Sequence, residues 1–320
     1  MKKTGVLIAI LVLFILSSCG ARQEAAVAQT YIVFGFSQLG DESEWRTAHS
    51  NDIRRAAELA DIQLMFDNAH QQQFNQIRAM RSLILKGVDI IAFSPIVEDG
   101  WDNVLIEART AGIPVIVVDR KISTEDDSLF VAFIGSDFYR EGVRAGEFLL
   151  DRFRDEQGPI RVAEISGTIN SSPMIGRYEG FRSVLRQDPR FEIVISTSGD
   201  FMRSRGRECM EAILQEVPDI DVLFAHNDDM ALGAIEILKE HGIVPGVDII
   251  IVSVDAQRSG LEALRRGQIN CLVECNPYIG TQLMELALAI VNDEPFERYT
   301  YSETRVFTDR DDFDSLPARD

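Results

Sequence analysis

The sequence predicts an α/β protein built from two doubly wound parallel sheets. Short apolar runs such as Ile90–Phe93 are continuous rather than alternating, which suits parallel strands buried on both faces. Amphipathic helical segments separate these runs, and an alternation of strand and helix is typical of doubly wound sheets. A chain of 320 residues most naturally forms two domains, and the runs are too many for one compact sheet.

The expected strands follow the apolar runs, and most are separated by helix-length segments. We expect strands near residues 31–37, 62–66, 89–93, 114–118, 131–135, 160–165, 191–197, 221–226, 248–254, 269–274 and 301–307. The chain is divided near residue 137. A (βα)₈ barrel is the competing architecture, because it also places its site at the carboxyl ends of parallel strands.

Three helices have clear sequence signals. The segment 71–86 carries Phe74, Ile77, Leu83 and Ile84 close to a 3.6-residue period, and Gly87 follows it as a C-terminal glycine. Segments 99–111 and 228–241 end in the same way on a glycine.

A fourth helix is indicated by its beginning. Pro173 suits the first helical position behind Ser172 as N-cap.

The N-terminal segment resembles a bacterial lipoprotein signal. Lys2 and Lys3 precede an apolar stretch, 6–16, that is too short to span a bilayer, and Leu16-Ser17-Ser18-Cys19 reads as a lipobox. The resemblance implies a signal over 1–19 and acylation of Cys19. Residues 20–30 would then be a tether, and the protein would sit in the periplasm or at the cell surface, attached to the membrane by lipid. A plain secretory signal is the alternative.

Charge and absent motifs exclude several classes of function. The formal net charge is −19, which argues against binding of nucleic acid. The chain lacks GxGxxG after a strand, GxxxxGK[ST], GxSxG and HExxH. Cys209, Cys271 and Cys275 have no zinc spacing, so we read them as small buried hydrophobic residues. We expect no cofactor, no metal and no activated nucleophile, and His226 is read as a packing residue.

Polar residues cluster where the apolar runs stop. Because ligands of open α/β sheets bind beyond the carboxyl ends of the strands, these residues are the candidate site. Trp45 offers a flat face for the C–H face of a sugar ring. The donors and acceptors suited to vicinal hydroxyls are Asp119, Arg120, Arg177, Asn227 and Asp255. Two alternatives stay open: Asp119-Arg120 as a surface turn, and Asn227 as the N-cap of the helix that follows it.

With these residues in view, the chain resembles the periplasmic sugar-binding proteins of ABC importers, in the ribose/galactose-binding family. The likeness covers about residues 31–308 and is greatest to the galactofuranose-binding members. It rests on the segments GFSQLGDESEWR (35–46), GVDIIAFSPIVEDGW (87–101), IPVIVVDR (113–120), GTINSSPMIGRYEGF (167–181), SGDFMRSRG (198–206) and AHNDDMALGAIEILKE (225–240).

The resemblance implies a type I binding-protein fold, with two lobes joined by a three-strand hinge and closing on one sugar. The lobes would comprise 31–136 plus 275–300 and 137–274 plus 301–320. The ligand contacts carried over are Glu42, Ser43, Glu44, Trp45, Arg46, Asp119, Arg120, Arg177, Asn227 and Asp255. Glu44 departs from the galactofuranose-binding relative, which has a small residue there.

The function implied is that of a monomeric substrate-binding lipoprotein that delivers a monosaccharide, with galactofuranose the suggested sugar, to an ABC permease in the cytoplasmic membrane. A sugar-sensing receptor of the same fold that signals to a kinase or chemoreceptor is the main alternative. A glycosidase using Asp119 and Asp255 is disfavoured, because carboxyls beside arginines have low pKa values and make poor general acids. The protein is therefore expected not to be an enzyme.

Overall fold

The computed structural model describes residues 32–312. The predicted signal segment with Cys19, the predicted tether and residues 313–320 lie outside the described residues. Within the described part, no helix combines the length and the apolar character needed to cross a bilayer.

Strands and helices alternate along most of the described chain. The strands are β1 (Val33–Gln38), β2 (Gln63–Asn68), β3 (Ile90–Phe93), β4 (Val115–Asp119), β5 (Ala132–Gly135), β6 (Ile160–Ser166), β7 (Phe191–Ser198), β8 (Val222–Ala225), β9 (Ile250–Asp255), β10 (Cys271–Glu274), β11 (Tyr299–Tyr301) and β12 (Val306–Thr308). The α-helices are α1 (Glu44–Leu59), α2 (Gln73–Lys86), α3 (Asp102–Thr110), α4 (Phe138–Arg152), α5 (Ser172–Leu185), α6 (Arg203–Glu216), α7 (Asp228–Glu240), α8 (Arg258–Arg265) and α9 (Gly280–Val291).

The strands form two open six-stranded sheets, one for each lobe. Their spatial orders are β11-β5-β4-β3-β1-β2 and β12-β10-β9-β8-β6-β7. All pairings are parallel except that of β10 with β12, which is antiparallel. The predicted α/β fold with two doubly wound sheets is confirmed, and the alternative barrel is not formed.

Each sheet is buried on both faces, as the continuous apolar runs require. In the first lobe, Phe34 packs with Ile53 of α1 on one face, whereas Phe93 packs with Met80 of α2 on the other. The second lobe has the same plan, with separate apolar cores on the two faces of its sheet. Because helices cover both faces of each sheet, the carboxyl ends of the strands are the part of the sheet that stays open to a ligand.

The chain passes between the two lobes three times, which confirms the three-strand hinge. The crossings lie between β5 and α4, between β10 and α9, and between β11 and β12. The strand expected over 301–307 is therefore wrong as a single element. Residues 302–305 carry the chain from one sheet to the other, and a single strand cannot pair with both.

The helix predicted over 71–86 begins two residues later, at Gln73. His70 and Gln71 have φ values of 50° and 57°, which form a turn rather than a helix. Phe74 is 71% exposed, because the buried face of this helix runs through Gln76, Met80 and Leu83. The 3.6-residue period therefore predicts the helix correctly, but Phe74 does not lie on its buried face.

Two smaller expectations are settled by the structure. The N-cap of α5 is Ser171 rather than Ser172, so Pro173 occupies the second helical position. Cys209, Cys271 and Cys275 are buried and free, as expected from their spacing.

Candidate functional site

A small cavity lies between the two lobes, at the carboxyl ends of their strands. It is lined by Glu42, Ser43, Trp45, Arg46, Asp119, Arg120, Phe138, Pro173, Arg177, Phe201, Asn227, Asp255 and Cys275. Nine of the ten residues singled out from the sequence are in this lining. Glu44 is not, and its side chain contacts Ser259 instead.

The first lobe contributes a cluster of opposite charges to the cavity. Arg46 of α1 lies 2.8 Å from the carboxylate of Asp119, which ends β4, and 3.2 Å from that of Glu42. The guanidinium of Arg120 lies 3.7 Å from Glu42 and donates to the carbonyl of Ile96 at 3.0 Å. All four charged side chains are at most 5% exposed. The cluster is therefore held in place by its own ion pairs.

Asp119 is held in a backbone conformation that few residues adopt. Its φ is 63°, and a Cβ on Gly135 of the neighbouring strand would lie 2.4 Å from its carbonyl oxygen, so only glycine fits there. Burial acts to raise the pKa of Asp119, but the charges of Arg46 and Arg120 outweigh burial and hold the pKa below its ordinary value. This carboxylate stays ionised at neutral pH.

The local sequence around Trp45 anchors the indole at the start of α1. Ser43 caps the helix, because its Oγ accepts from the backbone N–H of Arg46 at 3.1 Å. The indole Nε1 donates to the carbonyl of Cys275 at 2.7 Å, and the ring stacks on His49 with centroids 4.9 Å apart. Trp45 therefore contacts the hinge segment as well as the cavity.

In the second lobe, α4 and α5 bring Glu141 and Arg177 together. A Cβ on Gly142 would lie 2.3 Å from the carbonyl oxygen of Arg177, so glycine allows the two helices to touch. Arg177 Nε donates to Glu141 at 2.8 Å, and its Nη2 lies 3.7 Å from Asp255. The Arg177 guanidinium is thereby fixed at the cavity wall.

Asn227 and Asp255 complete the second wall. The Oδ1 of Asn227 accepts from the N–H of Met230 at 3.0 Å, so Asn227 is both the N-cap of α7 and part of the cavity lining. Asp255 ends β9 with a φ of 114°. Burial raises the pKa of Asp255 well above its ordinary value, although Arg177 opposes the shift, so the low pKa expected for this carboxyl from the sequence is wrong.

Sequence reasoning missed four lining residues, namely Phe138, Pro173, Phe201 and Cys275. Phe201 lies under two guanidiniums, with ring-centroid distances of 5.1 Å to Arg120 and 5.9 Å to Arg177. Phe201 lies three residues after the end of β7. The expectation that ligands bind beyond the carboxyl ends of the strands therefore applies to Phe201 as well.

Several cavity atoms have hydrogen-bonding capacity to spare. Glu42 Oε2, Arg46 Nη1 and Arg120 Nε are buried and make no hydrogen bond within residues 32–312. Burying such groups without partners is costly, so a polar ligand that supplied donors and acceptors would be favoured. Each of the three cavity arginines is nevertheless paired with a carboxylate. The arrangement suits an uncharged ligand rich in hydroxyl groups.

His226, which the sequence predicts to be a packing residue, is fully buried. Its Nε2 lies 3.1 Å from Glu164, and burial lowers the pKa of the imidazole.

Among the described residues, no group of three His, Cys, Asp or Glu side chains could hold a metal ion.

Known proteins share both this sequence pattern and this architecture. The periplasmic binding protein domain family matches residues 34–295. The galactofuranose-binding protein YtfQ of Escherichia coli is 38% identical over 268 residues, which are 83% of this chain and 84% of that protein.

Two solved structures extend the comparison. A protein from Mycobacterium smegmatis in complex with β-D-fucofuranose has a TM-score of 0.86 and 45% identity, covering 87% of this chain and 91% of that one. The periplasmic component of the arabinose ABC transporter from Shewanella sp. ANA-3, bound to α- and β-L-arabinofuranose, has a TM-score of 0.83 and 41% identity, covering 87% and 92%. A match over most of the chain places it among substrate-binding rather than catalytic proteins, and it belongs to the periplasmic binding protein family.

Proposed function

We propose that this chain is the extracytoplasmic substrate-binding lipoprotein of an ABC sugar importer, and that it binds one monosaccharide in its furanose form between the two lobes. Galactofuranose and its close relatives are the first candidates. The proposed ligand contacts are Glu42, Ser43, Trp45, Arg46, Asp119, Arg120, Arg177, Asn227 and Asp255.

The observation that carries this proposal is the pairing of charges around the cavity. Arg46, Arg120 and Arg177 each have a carboxylate partner, yet the cluster keeps unused donors and acceptors. A phosphate or a uronate would compete with those carboxylates, whereas a neutral sugar can accept from a guanidinium and donate to a carboxylate at the same time.

The preference for a furanose is supported by the relatives. The names of the three proteins compared above refer to galactofuranose, fucofuranose and arabinofuranose, at identities between 38% and 45%. A five-membered ring carries an exocyclic chain that needs its own polar contacts. The two carboxylate–arginine clusters on opposite walls would supply them.

Closure of the lobes would couple binding to transport. We assign the first lobe to residues 31–136 plus 275–300 and the second to 137–274 plus 301–320, so that the first lobe carries six of the nine proposed contacts and the second carries three. A ligand that bridges both lobes stabilises the closed state, which would then dock on the permease. Acylated Cys19 would keep the protein at the membrane.

The first experiment is a thermal-shift screen followed by calorimetry. D-Galactose, D-fucose and L-arabinose, which equilibrate with their furanose forms, should raise the melting temperature. D-Galacturonate and D-galactose 6-phosphate should not. If the charged sugars bind and the neutral ones do not, the proposed ligand class is wrong.

The second experiment places the site with one substitution. Asp255→Asn keeps the size of the side chain but replaces one carboxyl oxygen with an amide NH₂, which cannot accept a hydrogen bond, and we expect sugar affinity to fall about tenfold or more. Asp219→Asn is the matched control, because Asp219 is an exposed aspartate of the same lobe. Equal affinities for the two variants would show that the sugar binds elsewhere.

A further inference from the structure

One pair of contacts between the lobes involves a residue that does not line the cavity. The backbone N–H of Glu44, at the start of α1 in the first lobe, donates to Asp229 Oδ2 of α7 in the second lobe at 2.7 Å. The Glu44 carboxylate accepts from both the N–H and the Oγ of Ser259, in the first turn of α8. Glu44 therefore joins two helices of the opposite lobe.

These bonds differ in kind from another set that joins the lobes. The N–H of Glu98 donates to the carbonyl of Asn170, and the N–H of Lys121 donates to Ser172 Oγ. Those bonds use backbone groups of the first lobe, which any residue would supply. The bonds to Ser259 depend on the Glu44 side chain, so a substitution at this first-lobe position removes them.

The first turn of α8 attracts the charge of the Glu44 carboxylate, although Asp228 and Asp229 of α7 repel it. Ser259 belongs to the first turn of α8, where the unpaired backbone N–H groups and the helix dipole attract an anion. Hydrogen bonds to an ionised carboxylate are stronger than those between neutral groups, by roughly twofold. Because the partners lie on different lobes, this stabilisation exists only while the lobes are together.

We propose that Glu44 is an interlobe latch that sets the lifetime of the closed, sugar-bound form without touching the sugar. The inference rests on the proposed function. A contact present only in the closed state stabilises that state relative to the open one, so it slows opening. The encounter of the sugar with the open form does not involve the latch. Glu44 is thus a positioning residue that acts on dissociation.

The test compares rates of sugar release. Stopped-flow measurements with D-galactose, D-fucose or L-arabinose, whichever the calorimetry selects, would follow the intrinsic fluorescence of the wild-type chain and of Glu44→Ala. We expect the dissociation rate to rise about tenfold and the association rate to stay within twofold. The melting temperature without sugar should be unchanged, which separates a latch from a general structural role.

Two further variants sharpen the test. Asp41→Ala removes the same charge from an exposed position in the same loop and should leave the dissociation rate unchanged. Ser259→Ala removes the partner and should reproduce the effect of Glu44→Ala, and the double variant should be no faster than either single one.

The possible failures can be told apart. If the wild-type chain binds none of the three sugars, the proposed function falls and this inference falls with it. If the wild-type chain binds a sugar and Glu44→Ala releases it at the wild-type rate, the latch alone is overturned. A rise of the same size in Asp41→Ala would also overturn the latch, because it would trace the effect to net charge.

Discussion

The Nε of Arg177 donates to the carboxylate of Glu141 at 2.8 Å, and neither side chain is more than 3% exposed. The pair joins α4 to α5 across a contact at which the helix backbones touch. Breaking a buried ion pair by removing one partner is strongly destabilising, because it leaves a charge without compensation. The position of Arg177 at the cavity wall therefore depends on how closely these two helices approach.

Gly142→Ala tests that dependence. The added Cβ would lie 2.3 Å from the Arg177 carbonyl oxygen and 2.8 Å from the Phe181 nitrogen, and backbone atoms cannot move aside cheaply. We expect chemical denaturation to show a loss of about 1–3 kcal/mol in the free energy of unfolding. Sugar affinity should fall as well, since Arg177 is displaced. Arg144→Ala, on the exposed side of the same helix, should change neither quantity by more than about 0.5 kcal/mol.

Trp45→Phe separates the indole N–H from the aromatic ring. The substitution removes the hydrogen bond to the Cys275 carbonyl but keeps an aromatic ring, and we expect a cost of about 1 kcal/mol in stability. Trp101→Phe is the matched control, because its Nε1 donates to the Val97 carbonyl at the same distance of 2.7 Å and outside the cavity lining. Thermal unfolding should show similar losses for both variants, whereas calorimetry should show weaker sugar binding only for Trp45→Phe. Weaker binding in both would refute a specific role for the Trp45 N–H.

Sugar affinity should depend on pH through Asp229. Burial raises the pKa of Asp229 to about 6 in this structure. The hydrogen bond from the Glu44 N–H and the charge of Arg203 oppose this rise, whereas the charge of Glu44 adds to it. Opening the lobes exposes this carboxyl to water, which removes the main cause of the raised pKa and returns the pKa towards its ordinary value of 3.8. The closed form therefore binds the proton more tightly, so affinity should rise up to about tenfold as the pH falls from 7 to 5.

Asp229→Asn tests whether Asp229 itself takes up the proton on closure. Other titratable groups lie nearby, including Asp228, whose pKa is raised to about 8 by burial. Asparagine can still accept from the Glu44 N–H but does not titrate. Calorimetry at pH 5, 6 and 7 should show a flatter affinity profile for the variant than for the wild-type chain. Parallel profiles would mean that Asp229 does not take up a proton on closure.

The sequence alone was sufficient for the fold and for most of the cavity lining, for one physical reason. Parallel strands buried on both faces read as continuous apolar runs, and their carboxyl ends meet at a common edge. Asp119 and Asp255 could therefore each be placed at the carboxyl ends of their own sheet without coordinates, whereas the resemblance to the family implied that the two lobes face each other. The same rule extends to Phe201, which follows β7 and lines the cavity.

The features that the sequence alone does not predict depend on contacts and pairings that involve both lobes. Glu44 lies between two residues that line the cavity, yet its side chain turns to Ser259, which is more than 200 residues away in the chain. Nothing in local spacing indicates such a contact. The same holds for residues 302–305, where pairing with two separate sheets divides what reads as one strand.

The acid sensitivity of the fold should depend on His49. This imidazole is fully buried, its Nδ1 accepts from Gln38 Nε2 at 3.1 Å, and its ring stacks on Trp45. Burial, reinforced by the charge of Arg46, lowers its pKa to about 3, whereas in the unfolded chain the ordinary value is 6.5. Protonation therefore favours the unfolded chain, and stability is lost as the pH falls below 6.5.

Between pH 7 and pH 5 this linkage amounts to about 2 kcal/mol. His49→Gln keeps an acceptor for Gln38 but cannot be protonated, so the free energy of unfolding of the variant should fall less over that interval by about this amount. His70→Asn serves as the control, because His70 is exposed and asparagine tolerates its φ of 50°. Urea titrations at the two pH values give the comparison. If His49→Gln and the wild-type chain lose stability in parallel, the neutral buried imidazole is not the source of the acid sensitivity.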